Sequence, residues 1–303
     1  MGPDITTKEG RIALATIIRK ESPASLENHK TERESLIPVH EVIEYTVAET
    51  GYDTPIRLFI PEGKGPFPVV FYQHGGGFVS GDYATDEPVC RKMCADANVI
   101  VVSIQYRLSP EYPYPAAVHE VYDVIKWVVA NAESFHVDPT KIAVTGNSAG
   151  ATLAASACVL AAKKKDFTIS YASLIYPPLD MSSDPVVKCE GMNKSILNSE
   201  IMEMFDELYI PDSAQRKEIT ASPIFASPDC FPRLSVFSAE YDPLSKEQWR
   251  FVQNFIAERK EILYKYYRDT DHGFLDDPEY IEKSLDCQNI ICAELKSVFY
   301  GAD

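Results

Sequence analysis

A serine between two glycines is the residue best suited to chemistry in this sequence. It lies in the segment Gly146-Asn147-Ser148-Ala149-Gly150, which follows a short apolar run and opens an alanine-rich stretch. A serine hydroxyl is a weak nucleophile unless a sharp turn between a strand and a helix lifts it clear of the backbone, beside a base. Small residues flank such a serine because the turn is crowded. The segment therefore predicts a nucleophile elbow with Ser148 as the nucleophile.

Three successive glycines upstream of the elbow could bind a developing negative charge. Gly75, Gly76 and Gly77 directly follow an apolar strand candidate. An oxyanion needs two or three backbone N–H donors on one oxygen, and side chains at these positions would block its approach. We expect the donors to be Gly76 and Gly77 together with Ala149, the residue after the nucleophile.

A serine hydrolase of this kind also needs a base and an acid, which follow the serine in the chain order serine, acid, histidine. Of the six histidines, only His272 lies late enough in the chain, in a loop after an aromatic strand candidate. Asp242 lies just past another short strand candidate and is the preferred acid. Glu240 is the alternative, and Asp269 or Asp271 would compete only if the loop folds back.

Short apolar runs alternate with helical patterns along the chain, which is typical of a mostly parallel sheet covered by helices on both faces. A turn at Gly51-Tyr52-Asp53 joins the first two runs and predicts an antiparallel hairpin at one edge. The eight strand candidates are residues 42–48, 56–60, 69–73, 99–105, 141–145, 172–176, 234–238 and 263–267. The helix candidates that cover them are residues 86–97, 115–131, 148–164, 245–258 and 278–299.

The motifs together, in this order, resemble the hormone-sensitive-lipase-like group of α/β-hydrolase esterases, also called the bacterial class IV esterases. The resemblance covers roughly residues 40 to 300, and the combination is far more specific than any single motif. The matching segments are His74 to Phe78, Tyr106 to Glu111, Pro115 to Ala117, Gly146 to Gly150, Tyr176 to Asp180, Ser222-Pro223, Asp242 to Leu244 and His272 to Phe274.

The resemblance implies an α/β-hydrolase fold and a role for each matching residue. It assigns Ser148 as nucleophile, His272 as base and Asp242 as the acid that orients it. The oxyanion donors are again Gly76, Gly77 and Ala149, while His74 and Gly75 shape the glycine loop and Gly146, Asn147 and Gly150 shape the elbow. The sequence departs from the family at Asn147, where the family usually has aspartate, and at His119-Glu120, where it usually has an acidic pair.

Two regions do not fit the alternation of strands and helices, residues 1–40 and roughly 181–222. We expect them to form a small helical cap, and the resemblance implies that such a cap covers the nucleophile. Residues 41–180 and 223–303 would then form the catalytic domain. The apolar residues that could line the cap are Met192, Ile201, Met202, Met204, Phe205 and Tyr209.

The composition limits the kinds of partner that this protein is expected to bind. The net charge of −16 argues against nucleic acid and anionic membrane surfaces. The longest apolar stretch, Ala149 to Ala162, is too short to span a bilayer, so no membrane insertion is expected. No secretory leader is visible, which favours the cytoplasm. The seven cysteines show no CxxC spacing, so reduced thiols and no metal site are expected. A homodimer is left open.

The sequence therefore predicts a cofactor-independent serine carboxylesterase that acts on a small-molecule ester through an acyl-enzyme. The preference for short acyl groups is implied by the resemblance alone. Two other functions stay open: a non-catalytic ligand-binding receptor on the same fold, and an amidase or eliminating enzyme that uses the same pocket.

Overall fold

An eight-stranded sheet organises the chain in the computed structural model, which describes residues 3–4, 7–21, 36–48, 51–192 and 194–301. The order across the sheet is β1-β2-β4-β3-β5-β6-β7-β8. The strands are β1 Glu41–Val47, β2 Thr54–Ile60, β3 Phe67–Gln73, β4 Ile100–Ile104, β5 Val137–Asn147, β6 Tyr171–Ile175, β7 Arg233–Ala239 and β8 Ile262–Tyr267.

The sheet is mostly parallel, as the alternation predicted. Neighbouring strands from β4 to β8 run parallel, whereas β2 is antiparallel to both β1 and β4. The expected edge hairpin is therefore β1 with β2. Because the carboxyl ends of parallel strands meet at one edge, the loops after β3, β5, β7 and β8 lie close together. These four loops contain the glycine run, the elbow, Asp242 and His272.

Helices cover both faces of the sheet. Alternate residues of β3 show the division, since Val69 and Phe71 join one apolar cluster and Val70 and Tyr72 the other. Helices α3, α4 and α7 belong to the first cluster, and α2 and α8 to the second. The helices are α1 Lys8–Glu21, α2 Glu87–Ala97, α3 Ala116–Ala130, α4 Ala149–Lys164, α5 Pro185–Lys188, α6 Ser199–Tyr209, α7 Ser245–Ala257 and α8 Ile281–Tyr300.

The structure differs most from the sequence-based elements at the start of one strand and the start of one helix. Strand β5 begins at Val137 rather than at residue 141, because Val137 already pairs with Phe67, before the register shifts to the pairing of Ile142 with Val69. Between these two pairs the Asp138 carboxylate accepts the Thr140 N–H. The last helix begins at Ile281 rather than at residue 278, because a separate 3₁₀ turn occupies Pro278–Tyr280.

Helices α1, α5 and α6 lie in the two regions that broke the alternation. Ala15 of α1 and Leu208 of α6 share a small apolar cluster with Val79, which follows the glycine run. The two regions therefore meet beside that loop. Residues 1, 2, 5, 6, 22–35 and 193 of these regions lie outside the described residues. In the described part of the chain, no helix combines the length and the apolar character needed to cross a membrane.

Candidate active site

Ser148, His272 and Asp242 form one continuous line of hydrogen bonds. The Ser148 Oγ lies 2.9 Å from His272 Nε2, and His272 Nδ1 lies 2.9 Å from Asp242 Oδ2. Asp242 is completely buried and His272 nearly so, whereas Ser148 is partly exposed. Since a carboxylate only accepts, Nδ1 donates to Asp242 and leaves Nε2 free to accept the serine proton. The structure thus brings together the three residues that the sequence singled out.

Ser148 has the backbone of a tight elbow. Its φ of 50° and ψ of −122° are unusual for a residue with a side chain, and α4 begins at the next residue. The strand before it ends in contact with β6, since the Ser148 N–H donates to the Ile175 carbonyl. The turn presents the hydroxyl beyond the end of the sheet, where His272 can reach it.

The glycines on either side of Ser148 are required by space. A Cβ on Gly150 would lie 1.9 Å from the Gln73 carbonyl oxygen, and one on Gly146 would lie 2.5 Å from the same oxygen. Both contacts are with backbone that a side chain cannot displace cheaply. The elbow therefore packs directly against the end of β3, which leads into the glycine run.

The glycine run turns back sharply beside the elbow. Gly76 and Gly77 have φ values of 116° and 61°, and a Cβ on Gly76 would lie 2.2 Å from the Ser80 carbonyl oxygen. Within the described residues, the N–H groups of Gly76, Gly77 and Ala149 have no hydrogen-bond acceptor. These are the donors expected at an oxyanion hole.

His74 stabilises the start of this run. Its Nδ1 donates to the Gly75 carbonyl at 2.7 Å, and its ring stacks on Tyr106 with centroids 4.2 Å apart. The Tyr106 hydroxyl in turn donates to the His74 carbonyl. Burial lowers the pKa of His74 to about 4. The imidazole is therefore neutral at pH 7 and serves as a packing and hydrogen-bonding group of the loop.

The alternative acids have other partners. The Glu240 carboxylate accepts the Asp269 N–H at 2.8 Å, and Asp269 accepts the Tyr241 hydroxyl. Asp271 accepts the backbone N–H of His272, while the imidazole ring pairs with Asp242. The Leu244 N–H donates to the second oxygen of Asp242, which holds that carboxylate at the start of α7.

Asn147, the departure from the family pattern, is buried beneath the glycine run. Its Nδ2 donates to Asp276 Oδ2 at 3.2 Å, and its side-chain atoms lie 3.3 Å from where a Cβ on Gly75 would be. An aspartate here would oppose the Asp276 carboxylate, so the amide suits this neighbour. Asp276 was missed in the sequence, because nothing local links it to a residue so far upstream.

Three further residues lie at or beside the site, and none of them was a candidate catalytic or oxyanion residue in the sequence. The Tyr176 ring lies 4.8 Å from the His272 ring, centroid to centroid. The Phe205 ring of α6 covers Gly77, since its atoms lie 2.6 to 2.7 Å from where a Cβ on Gly77 would be. Phe205 was expected only as part of an apolar lining, and Tyr176 only as part of a family motif.

Arg19 of α1 is the third. Its Nε donates to the Val79 carbonyl at 2.7 Å, and its Nη2 donates to the Ser109 carbonyl at 2.8 Å. It also makes two hydrogen bonds with the Glu111 carboxylate, at 2.9 and 2.8 Å. Paired guanidinium and carboxylate groups are geometrically specific. Arg19 thus fixes α1 to the loop that follows the glycine run.

Comparison with known proteins agrees with this geometry. Residues 70–276 match the alpha/beta hydrolase fold family. The chain is 34% identical to carboxylesterase NlhH of Mycobacterium tuberculosis over 84% of this chain and 81% of NlhH. It is 32% identical to ethyl acetate hydrolase of Pseudomonas putida over 77% of this chain and 75% of that protein.

A solved esterase structure also has the same fold as this chain. The esterase of Pyrobaculum calidifontis superposes with a TM-score of 0.81 and 32% identity, covering 94% of this chain and 97% of that one. The order of motifs, the sheet topology and the matched length all indicate the same family. The chain belongs to the α/β-hydrolase fold family, in its hormone-sensitive-lipase-like group.

Proposed function

We propose that this protein is a serine carboxylesterase that hydrolyses short-acyl carboxylic esters through an acyl-enzyme, without a cofactor. The observation that carries the proposal is the unbroken hydrogen-bonded line from Ser148 through His272 to Asp242. The names of the relatives, a carboxylesterase and an ethyl acetate hydrolase, support the same reaction class.

Acylation begins when the Ser148 Oγ attacks the ester carbonyl carbon. His272 Nε2 takes the hydroxyl proton as the new C–O bond forms, and Asp242 holds the imidazole in place and stabilises its charged form. The carbonyl electrons move onto oxygen, where the N–H groups of Gly76, Gly77 and Ala149 stabilise the charge. When the tetrahedral intermediate collapses, the bond to the alcohol oxygen breaks and His272 returns the proton to the leaving alcohol.

Deacylation repeats these steps with water. His272 removes a proton from water as its oxygen attacks the acyl carbon, and the same three N–H groups bind the oxyanion. Collapse breaks the bond to Ser148, which regains a proton from His272. The acid is released and the enzyme returns to its starting state, so no cofactor or metal takes part.

We also propose that residues 1–40 and 181–222 form a cap and that this cap restricts the acyl pocket. Phe205 of α6 covers Gly77, so an acyl chain that leaves the oxyanion site on that side meets an aromatic ring. Arg19 holds α1 on the adjoining loop. A pocket closed at this point favours acetyl and butyryl groups over longer chains. The name of the ethyl acetate hydrolase, a relative over three quarters of this chain, agrees with small esters.

A kinetic comparison of esters with an amide tests the proposal. The rates for p-nitrophenyl acetate, butyrate and octanoate, beside p-nitroacetanilide, should fall from acetate or butyrate to octanoate and be far lower for the anilide. Ser148→Ala should abolish turnover, whereas Ser134→Ala, at an exposed serine outside the line of hydrogen bonds, should not. Faster anilide cleavage would favour an amidase. Binding without turnover would favour a receptor.

A further inference from the structure

The carboxylate of Asp271 joins two parts of the chain that are distant in sequence. Its Oδ1 accepts the backbone N–H of His272 at 2.7 Å and the Ser195 hydroxyl at 2.6 Å. Its Oδ2 accepts the backbone N–H of Ile196 at 2.5 Å. Two of the three donors therefore come from the region 181–222. The third is the N–H of His272, whose ring lies within hydrogen-bond distance of Ser148.

These three hydrogen bonds stabilise the Asp271 carboxylate in its buried position. The residue is 5% exposed, and burial of a charged group is costly unless hydrogen bonds replace the lost water. Among the described residues, no lysine, arginine or histidine side chain forms a salt bridge with Asp271. If the turn at Ser195 moved away, the carboxylate would lose two of its three donors. The position of this turn and that of His272 are thus coupled through one side chain.

The turn that Asp271 holds is itself ordered by local hydrogen bonds. The Ser195 Oγ accepts the Leu197 N–H at 3.1 Å, and the Asn198 side chain accepts the Ile201 N–H as the N-cap of α6. Helix α6 carries Phe205 over Gly77. Asp271 therefore holds the turn that leads directly into α6.

Ile196 gives the turn a surface that a substrate could touch. Its Cδ1 lies 3.6 Å from where a Cβ on Gly273 would be, so the side chain lies over the residue after His272. The same side chain is 63% exposed. In the proposed reaction the leaving alcohol must come within hydrogen-bond reach of His272 Nε2. Ile196 therefore lies on the same side of the site as His272, the residue that must reach the leaving alcohol.

We propose that Asp271 is a positioning residue that fixes the Ser195-Ile196 turn against His272 and so determines selectivity for the alcohol part of the ester. The inference rests on the proposed function, because it needs His272 to serve the leaving group. It goes further, since it assigns a separate part of the cap to the alcohol and names the side chain that holds it there.

The test uses two substrate series with the purified full chain. Ethyl, hexyl and 1-naphthyl butyrate vary only the alcohol, and p-nitrophenyl acetate and butyrate vary only the acyl group. The variants are Asp271→Asn and Ser195→Ala. Ser183→Ala is the matched control, because the Ser183 hydroxyl also donates to a carboxylate, that of Asp180 at 2.6 Å. Circular dichroism and thermal melting verify that each variant is folded.

Ser195→Ala should change the kcat/KM ratio between 1-naphthyl and ethyl butyrate by about fivefold, which is the effect of one lost hydrogen bond. Asp271→Asn should change this ratio more and also lower kcat, because the amide has one acceptor oxygen where the carboxylate has two. Either the Ile196 N–H or the His272 N–H then loses its acceptor. The acyl ratio should stay within about twofold for Ser195→Ala and for Ser183→Ala.

Two results would overturn the inference while leaving the esterase proposal intact. In the first, Ser195→Ala keeps the wild-type alcohol ratio; in the second, Ser183→Ala shifts that ratio equally. If Asp271→Asn does not fold, Ser195→Ala alone decides, because it leaves Asp271 and His272 in place. Failure of the proposed function would look different, since the wild-type protein would then hydrolyse none of the esters.

Discussion

Replacing Phe205 with alanine should shift the acyl preference toward longer chains. The ring covers Gly77, so its removal opens space beside the oxyanion site. Burial of one methylene contributes about 0.8 kcal/mol, and a tenfold rate change corresponds to about 1.36 kcal/mol. Each added methylene that enters the new space should therefore raise kcat/KM about fourfold. Because hexanoate has two more methylenes than butyrate, the hexanoate-to-butyrate ratio should rise about fifteenfold.

The assay is kcat/KM for p-nitrophenyl acetate, butyrate, hexanoate and octanoate. Met204→Ala is the control, because Met204 packs in the same small apolar cluster as Phe205, whereas the three atoms nearest to a Cβ on Gly77 all belong to Phe205. The Met204→Ala variant should weaken the packing of this cluster without changing the hexanoate-to-butyrate ratio. An unchanged ratio in Phe205→Ala, or an equal rise in Met204→Ala, would refute the assignment of this ring to the acyl pocket.

Asp242→Asn should lower kcat by about 10³ to 10⁴, because it disturbs the imidazole tautomer. Glu240→Gln should change kcat by less than about threefold. Both are measured by steady-state kinetics at pH 7.5, and a larger loss for Glu240→Gln would show that Asp242 is not the acid. Burial raises the pKa of Asp206 to about 7 from an unfolded value of about 3.9, so its contribution to stability is present below about pH 4 and is lost as the pH rises through 7. The Asp206→Asn variant does not have this loss. Its melting temperature minus that of the wild type should therefore be larger at pH 8 than at pH 5, and the opposite trend would contradict the sign. Asn147→Asp places a second carboxylate against Asp276, so its melting temperature should fall more at pH 8 than at pH 5, and Asp276→Asn in the same chain should restore it. Equal melting curves of Asn147→Asp and wild type at pH 8 would show that the two side chains do not meet.

The parts of the site that could be predicted from sequence are those with local steric causes. Gly146 and Gly150 flank Ser148 because any Cβ there meets the carbonyl of Gln73. Gly76 must be glycine because its φ is positive and Ser80 leaves no room. Such requirements leave fixed residue types at fixed spacing, which a single sequence can display.

The parts that could not be predicted depend on pairings between distant segments. The antiparallel pairing of β2 with β4 follows from the strand order, and no residue of either strand specifies it alone. Asp271 looked like a weak competitor for the imidazole ring, whereas its carboxylate holds the backbone of His272 and the turn at Ser195. Phe205 was one of several apolar residues of a helix, and only the packing of that helix distinguishes it.

Covalent trapping of the nucleophile tests the central claim most directly. A p-nitrophenyl phosphonate should react once per chain, release one equivalent of p-nitrophenol and abolish esterase activity in proportion to labelling. Peptide mass spectrometry should then find the phosphonyl group on Ser148, and folded Ser148→Ala should remain unlabelled and inactive. A label on any other residue, or Ser148→Ala that retains more than about a tenth of wild-type turnover, would contradict the account.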